Sequence, residues 1–296
     1  MHPNLLMDVI RRQAGTLAKS ILEGVMNSID AQATRCDITL DGNQLCIVDD
    51  GLGIAEKAHV EQFFETFGTP HAHEERKTFG TFRAGRGQLF SYGRNVWRTG
   101  AFTMEVDVAG RGLDYTLVEH RSKRVAGCQI EIALYDPLRP SDFATTERLV
   151  RQWCKYTPLT LSWNGELVSR DPEGEVWDHV LPKAYVRLAE HGSLAIYNLG
   201  IHPMELPGYR FGTGVLVMSR LPLRVNFARN DVQDSCPVLP KAATRLERRL
   251  TQKMLAEQDR QFAAEQSLAK LSASIGVANL KTTYKKSSGS MQASCA

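Results

Sequence analysis

"SILEGVMNSIDA", Ser20–Ala31, decides how the rest of the chain reads. Ile21, Leu22, Val25, Met26 and Ile29 recur at helical spacing and form one face of an amphipathic helix. At roughly 100° per residue, Glu23, Asn27 and Asp30 fall within about 60° of one another on the opposite side. A stripe of two carboxylates and an amide either meets solvent, as on many surface helices, or lines a polar pocket.

Outward from that helix, read as Leu17–Gln32, a first helix is expected over Asn4–Gln13, with Gly15 as the break between them. Downstream, "CDITL" and "QLCIVDD" are short apolar-rich runs joined by "DGN", a tight-turn signal that makes them a hairpin. "AEKAHVEQFFETFG" reads as a helix. The polar, glycine-spaced "TPHAHEERKTFGTFRAGRGQ" after it suits a mobile loop. "FTMEVDV", turning at "AGRG" into "LDYTLVEH", forms another hairpin-like unit and leads to the strand "CQIEIAL".

A first domain is expected over residues 1–140. A second, at 141–237, opens with the helix "SDFATTERLVRQWCKY" and continues through the strands "LTLSW", "AYVRLA", "LAIYNLG" and "GVLVMS". A long charged helix is expected at 238–274, and a disordered tail at 275–296.

Composition narrows the setting. The 296 residues carry a formal charge of +3 with both signs mixed along the chain, unlike the basic block of a dedicated nucleic-acid arm. The six cysteines, at 36, 46, 128, 154, 236 and 295, form no C-x-x-C pair and have no histidine at metal-ligand spacing, so reduced thiols in a cytoplasmic protein are expected. Asp8, Arg11 and Arg12 interrupt any signal-like apolar run, and no stretch reaches membrane-spanning length. His71 and His73 have no evident third ligand nearby.

Two further motifs bear on the polar stripe. "VDDGLGI" places Asp-x-Gly-x-Gly at a strand end, where a carboxylate can face a pocket and glycines let a ligand approach the backbone. "GTFRAGRGQLFSYG" sets Gly80, Gly85 and Gly87 ahead of an apolar segment, so that successive N–H groups can cradle an anion. It is neither a Walker A loop nor a dinucleotide fingerprint.

In this order and spacing the motifs resemble the ATP-binding domain of the GHKL superfamily, which includes gyrase B, the ninety-kilodalton heat-shock chaperones, histidine kinases and MutL proteins. The resemblance rests on E-x-x-x-N-x-x-D-A at Glu23, Asn27, Asp30 and Ala31, on D-x-G-x-G at Asp49, Gly51 and Gly53, and on the lid glycines Gly80–Gly87 with Arg86 among them. It covers about half of the chain. A fourth box, Gly-Thr before a strand in the family, stands here as Gly127-Cys128. The thiol is a weaker hydrogen-bond partner, which implies modest nucleotide affinity.

The resemblance implies an α+β fold: a two-layer sandwich of the Bergerat type, helices on one face of a mixed sheet, then a smaller α/β transducer-like domain and a C-terminal helix. It implies that Asn27 holds Mg²⁺ against the phosphates of ATP, that Asp49 accepts the adenine amino group, and that Glu23 orients or deprotonates water. Asp50 reads as a solvated turn residue. "SRLPLRVNFARNDV" resembles the segment that in hydrolysing members sends a basic residue to the γ-phosphate, with Arg229 chosen and Arg224 its rival. The implied cycle is ATP hydrolysis with lid closure over roughly Glu56–Phe82 and ATP-dependent homodimerisation or larger assembly, acting on a protein or DNA client. The alternative is a nucleotide-gated interaction module with little hydrolysis.

Overall fold

The computed structural model describes residues 15–60, 86–112, 114–122, 124–189, 193–206 and 214–223. The expected helix at 4–13, most of that at 55–68, the loop with His71 and His73, Arg224, Arg229, the long charged helix and the tail lie outside the described residues.

Helix α1, Leu17–Asp30, begins where Thr16 caps it by accepting from the Lys19 N–H at 3.3 Å. Gly15, at φ +71°, turns the chain into it. The helix ends two residues short of the expected Gln32, because Ala31 takes the C-cap and Gln32 adopts φ +58°.

Two mixed sheets follow. The first runs β5-β4-β3-β6-β2-β1-β7-β8, from β1 (Arg35–Leu40), β2 (Gln44–Asp49), β3 (Gly93–Gly100), β4 (Phe102–Val106), β5 (Tyr115–Glu119), β6 (Val125–Leu134), β7 (Thr160–Trp163) and β8 (Glu166–Leu167). All its neighbours are antiparallel except β1 and β7. Between strands lie the short α2 (Arg86–Phe90), the single turn α3 (Val108–Arg111), and α4 (Pro140–Trp153), which begins on Pro140 and packs against α1. The chain past Pro140 thus re-enters the first sheet and its helical layer. The second sheet, β12-β11-β13-β10-β9, is built from β9 (His179–Leu181), β10 (Ala184–Ala189), β11 (Leu194–Asn198), β12 (Ile201–Leu206) and β13 (Gly214–Ser219), with β11 and β13 parallel.

The main core lies between α1, α4 and the first sheet. Ile21 and Val25 meet Ile38, Ile47 and Ile132 there, all almost fully buried. Alternation explains which residues enter it: Cys36, Ile38 and Leu40 on β1, and Leu45 and Ile47 on β2, point inward. Strand β3, "GRNVWRTG", escaped the sequence reading because its inward positions are Gly93, Asn95, Trp97 and Thr99, half of them polar. Asn95 is satisfied by donating to the carbonyls of Leu89 and Gly93 and accepting from Trp97 Nε1. Where "AGRG" reads as a plain turn, Asp107 caps a single helical turn by accepting from the Gly110 N–H at 3.0 Å.

Candidate nucleotide site

The alternation that buries Leu45 and Ile47 also buries Asp49, 7% exposed, at a position where a hydrophobe would ordinarily stand. Three neutral groups hold its carboxylate. Gly51 N–H donates to Oδ1 at 2.9 Å, Cys128 N–H to the same oxygen at 3.3 Å, and Ser28 Oγ–H to Oδ2 at 3.0 Å. Among the described residues no cationic side chain bonds to it. Burial pushes the Asp49 carboxyl upward, and the donors from Gly51, Ser28 and Cys128 offset only part of that.

The loop after Asp49 is packed backbone on backbone. Leu52 N–H donates to the Ala31 carbonyl at 2.8 Å, tying the loop to the end of α1. Thr99 Oγ accepts from Ile54 N–H and donates to the Gly127 carbonyl, both at 2.8 Å. Gly53 sits at φ +63°, and a Cβ there would lie 2.6 Å from the Gly127 oxygen. Gly127, at φ +66°, is tighter still: its Cβ would lie 1.9 Å from the Asp49 carbonyl oxygen. Cys128 is half-buried and lies opposite Asp49 in the β2–β6 register, with Cys36 opposite it across β1. Burial pushes the Cys36 thiol up to about 12, so it stands beside Asp49 as a neutral group.

Asp50 does not enter this pocket. It accepts from the N–H groups of Thr34 and Arg35 at 2.7 and 2.8 Å and from the Thr34 hydroxyl, and so closes the turn into β1.

On α1, Glu23 is buried at 8% exposure, whereas Asn27 and Asp30 are partly exposed. Glu23 therefore does not face bulk solvent. The Nδ2 atom of Asn27 is buried and has no hydrogen-bond partner. A half-turn of an amide exchanges its nitrogen and oxygen, so this position can offer either a donor or an oxygen ligand. Among the described residues no group of three or more His, Cys, Asp and Glu gathers as a cation cage. Of the glycine segment, Arg86 and Gly87 open α2; Gly80 and Gly85 lie outside the described residues.

The structure thus brings Asp49, Gly51, Gly53 and Cys128 together beside the end of α1, which carries Glu23, Asn27 and Asp30. Sequence reasoning missed Ser28 and Thr99. Ser28 hides inside the helix pattern one residue past Asn27, and Thr99 lies on the strand whose polar inward face concealed it.

In solved structures this architecture recurs. The ATPase region of Saccharomyces cerevisiae topoisomerase II superposes with a TM-score of 0.57 at 10% identity, over 82% of this chain and 86% of that one. The same yeast region bound to ICRF-187 (dexrazoxane) gives 0.54 at 9% identity, over 79% and 85%. The fold is that of the GHKL ATPases. Residues 15–132 match the family of histidine kinase-, DNA gyrase B- and HSP90-like ATPases. No curated protein matches the chain. Among the described residues no helix is long and apolar enough to cross a membrane.

Proposed function

We propose that the chain binds ATP with Mg²⁺ beside the end of β2 and hydrolyses it to drive a conformational cycle. The observation that carries this reading is Asp49: a buried carboxylate oriented by neutral donors from Ser28, Gly51 and Cys128, without a cation bonded to it among the described residues. Such a group keeps acceptor capacity for an N–H₂ donor, the exocyclic amine of adenine.

In the proposed mechanism Asn27 turns its buried amide so that oxygen faces the cation. Bound Mg²⁺ supplies positive charge to the phosphates. Glu23, held out of bulk water, orients the attacking water and takes its proton as oxygen bonds to the γ-phosphorus and the bond to ADP breaks. The N–H groups of Gly80–Gly87 cradle the phosphates, and Asp30 lines the pocket. The second region contributes Arg229, which neutralises charge developing on the γ-phosphoryl oxygens in the closed state. Lid closure over Glu56–Phe82, ATP-dependent association of two chains, and a protein or DNA client complete the reading.

Phosphate release and calorimetry test it together. Glu23→Ala should slow hydrolysis by about 10²–10⁴-fold with ATP affinity retained. Arg229→Ala should lower turnover with affinity nearly unchanged, with Arg224→Ala as the control for register. Wild-type chain that binds ATP but shows the turnover of Glu23→Ala would instead be the nucleotide-gated module.

A further inference from the structure

A cleft of 810 Å³ lies away from the Asp49 pocket, where the chain between α4 and β7 meets the end of β13. Its apolar wall includes Ile29, Leu159, Tyr185 and Met218. Size and lining suit a small organic ligand.

Two observations make it more than a gap in packing. Thr157 lines the cleft at 4% exposure, and its hydroxyl oxygen is buried without a hydrogen-bond partner. A buried hydroxyl left unpaired is unfavourable, so a site retaining one calls for a partner from outside the chain. The second observation is the charge in the lining, which includes Arg170, Arg220, Asp171 and Glu173. The acids already serve the fold: Asp171 accepts from Glu173 N–H at 2.8 Å, and Glu173 from the Tyr185 hydroxyl at 3.2 Å. The arginines are less engaged. Arg170 reaches Glu175 only at 3.9 Å, and the Arg220 guanidinium lies 5.1 Å from the centre of the Tyr185 ring with no carboxylate partner among the described residues. Lightly engaged guanidinium groups sharing a cleft with apolar side chains complement an anion on an apolar body.

We propose that this cleft is a second ligand site, separate from the Asp49 pocket, for a small amphipathic anion: an aromatic or aliphatic body against Leu159 and Met218, a polar atom meeting the Thr157 hydroxyl, and one carboxylate, sulfonate or phosphate at Arg220. One wall is Ile29 of α1, two residues from Asn27. The other is Ser219–Pro222, the chain leaving β13. A ligand seated there touches both the helix of the nucleotide site and the root of the segment carrying Arg224 and Arg229.

Fluorescence titration of the full chain with 8-anilinonaphthalene-1-sulfonate, in the presence of a saturating non-hydrolysable ATP analogue, tests the site without using turnover. Saturable binding of one probe per chain is expected. Arg220→Glu should weaken it by about tenfold or more, and the uncharged N-phenyl-1-naphthylamine should bind the wild-type chain correspondingly less well. Thr157→Val should weaken the probe by several-fold while leaving the melting temperature of the free protein unchanged or higher, since it removes the unpaired hydroxyl. Probe binding indifferent to Arg220→Glu and Thr157→Val, or equal affinity for the uncharged dye, would overturn the proposal. Complete displacement by the ATP analogue would overturn it as well, by placing the probe in the nucleotide pocket.

Discussion

Two carboxylates, the buried Asp49 beside the first sheet and the half-buried Glu175 beside the second, are held in opposite ways. Asp49 receives only neutral donors, and burial leaves its carboxyl raised. Glu175 precedes β9 and sits among aromatic rings. Arg187 Nη2 lies 2.6 Å away, the Tyr156 hydroxyl donates at 2.8 Å, and Lys155 Nζ is at 3.4 Å. Burial pushes Glu175 up too, but Arg187, Tyr156 and Lys155 outweigh it and hold the carboxyl below its ordinary range. Around it, Arg187 lies 4.7 Å from the centre of the Trp177 ring, and Trp177, Tyr156, Tyr185 and Tyr197 stack or meet edge to face. A carboxylate already neutralised holds structure together. One oriented by dipoles and left with its charge can still accept a ligand's hydrogen.

The sharpest test exchanges each acid for its amide. Asp49→Asn should lower ATP affinity by about 100-fold or more, the scale on which sites built around a hydrogen bond reject a mismatched group. Its fold should survive, because Asn Oδ1 can still accept from Gly51 and Cys128. The sign agrees: a carboxyl raised by burial lowers stability when charged, so at pH 7 the melting temperature should hold or rise. Glu175→Gln should do the reverse, leaving ATP affinity unchanged and destabilising the protein by roughly 1–3 kcal/mol, discounted for a partly exposed Arg187. Calorimetry and thermal melts read both, and an Asp49→Asn protein that melts early while Glu175→Gln loses nucleotide would invert the comparison.

Gly127→Ala is the next largest effect. It forces a methyl to 1.9 Å from the Asp49 carbonyl at φ +66°, so β6 must shift from β2. A loss of about 2 kcal/mol or more is expected, with ATP affinity falling as Cys128 N–H leaves Asp49. A melting temperature within experimental error of wild type would mean that the two boxes are not packed backbone to backbone.

Acidification should separate the two carboxylates more gently. Asp49 accepts from an amine most strongly while ionised, and its protonated form presents a donor on one oxygen, so ATP binding should weaken as pH drops through its raised value, beginning above the ordinary carboxylate range near 3.9. Glu175 has a depressed value, so its contribution to stability is complete above its unfolded value and disappears only as pH falls through the lower folded one. Binding and melting followed together from about pH 7 to pH 4 should show affinity lost first. Simultaneous loss would indicate that both report global unfolding.

Much of this was legible before any coordinates. Helical spacing over Ser20–Ala31 identified α1, "DGN" identified the hairpin, and "VDDGLGI" set Asp49 at a strand end where a carboxylate can face a pocket, because each depends on a local period or turn geometry. The family resemblance also came from local boxes at fixed spacing, and residues 15–132 match that family. Strand β3 was invisible, since its inward face is partly polar and pays for itself only through bonds to Leu89, Gly93 and Gly127.

What the sequence determined alone was therefore the elements with a clear local period and the chemical boxes, which short-range sterics and hydrophobic periodicity encode. Tertiary structure alone decided that Ser28 and the Cys128 N–H orient Asp49, 21 and 79 residues away in sequence, and that Glu23 is buried. It alone set Glu175 beside Arg187 and left the Thr157 hydroxyl unpaired in a cleft. Such relations depend on distances between segments far apart in the chain, which no local period records.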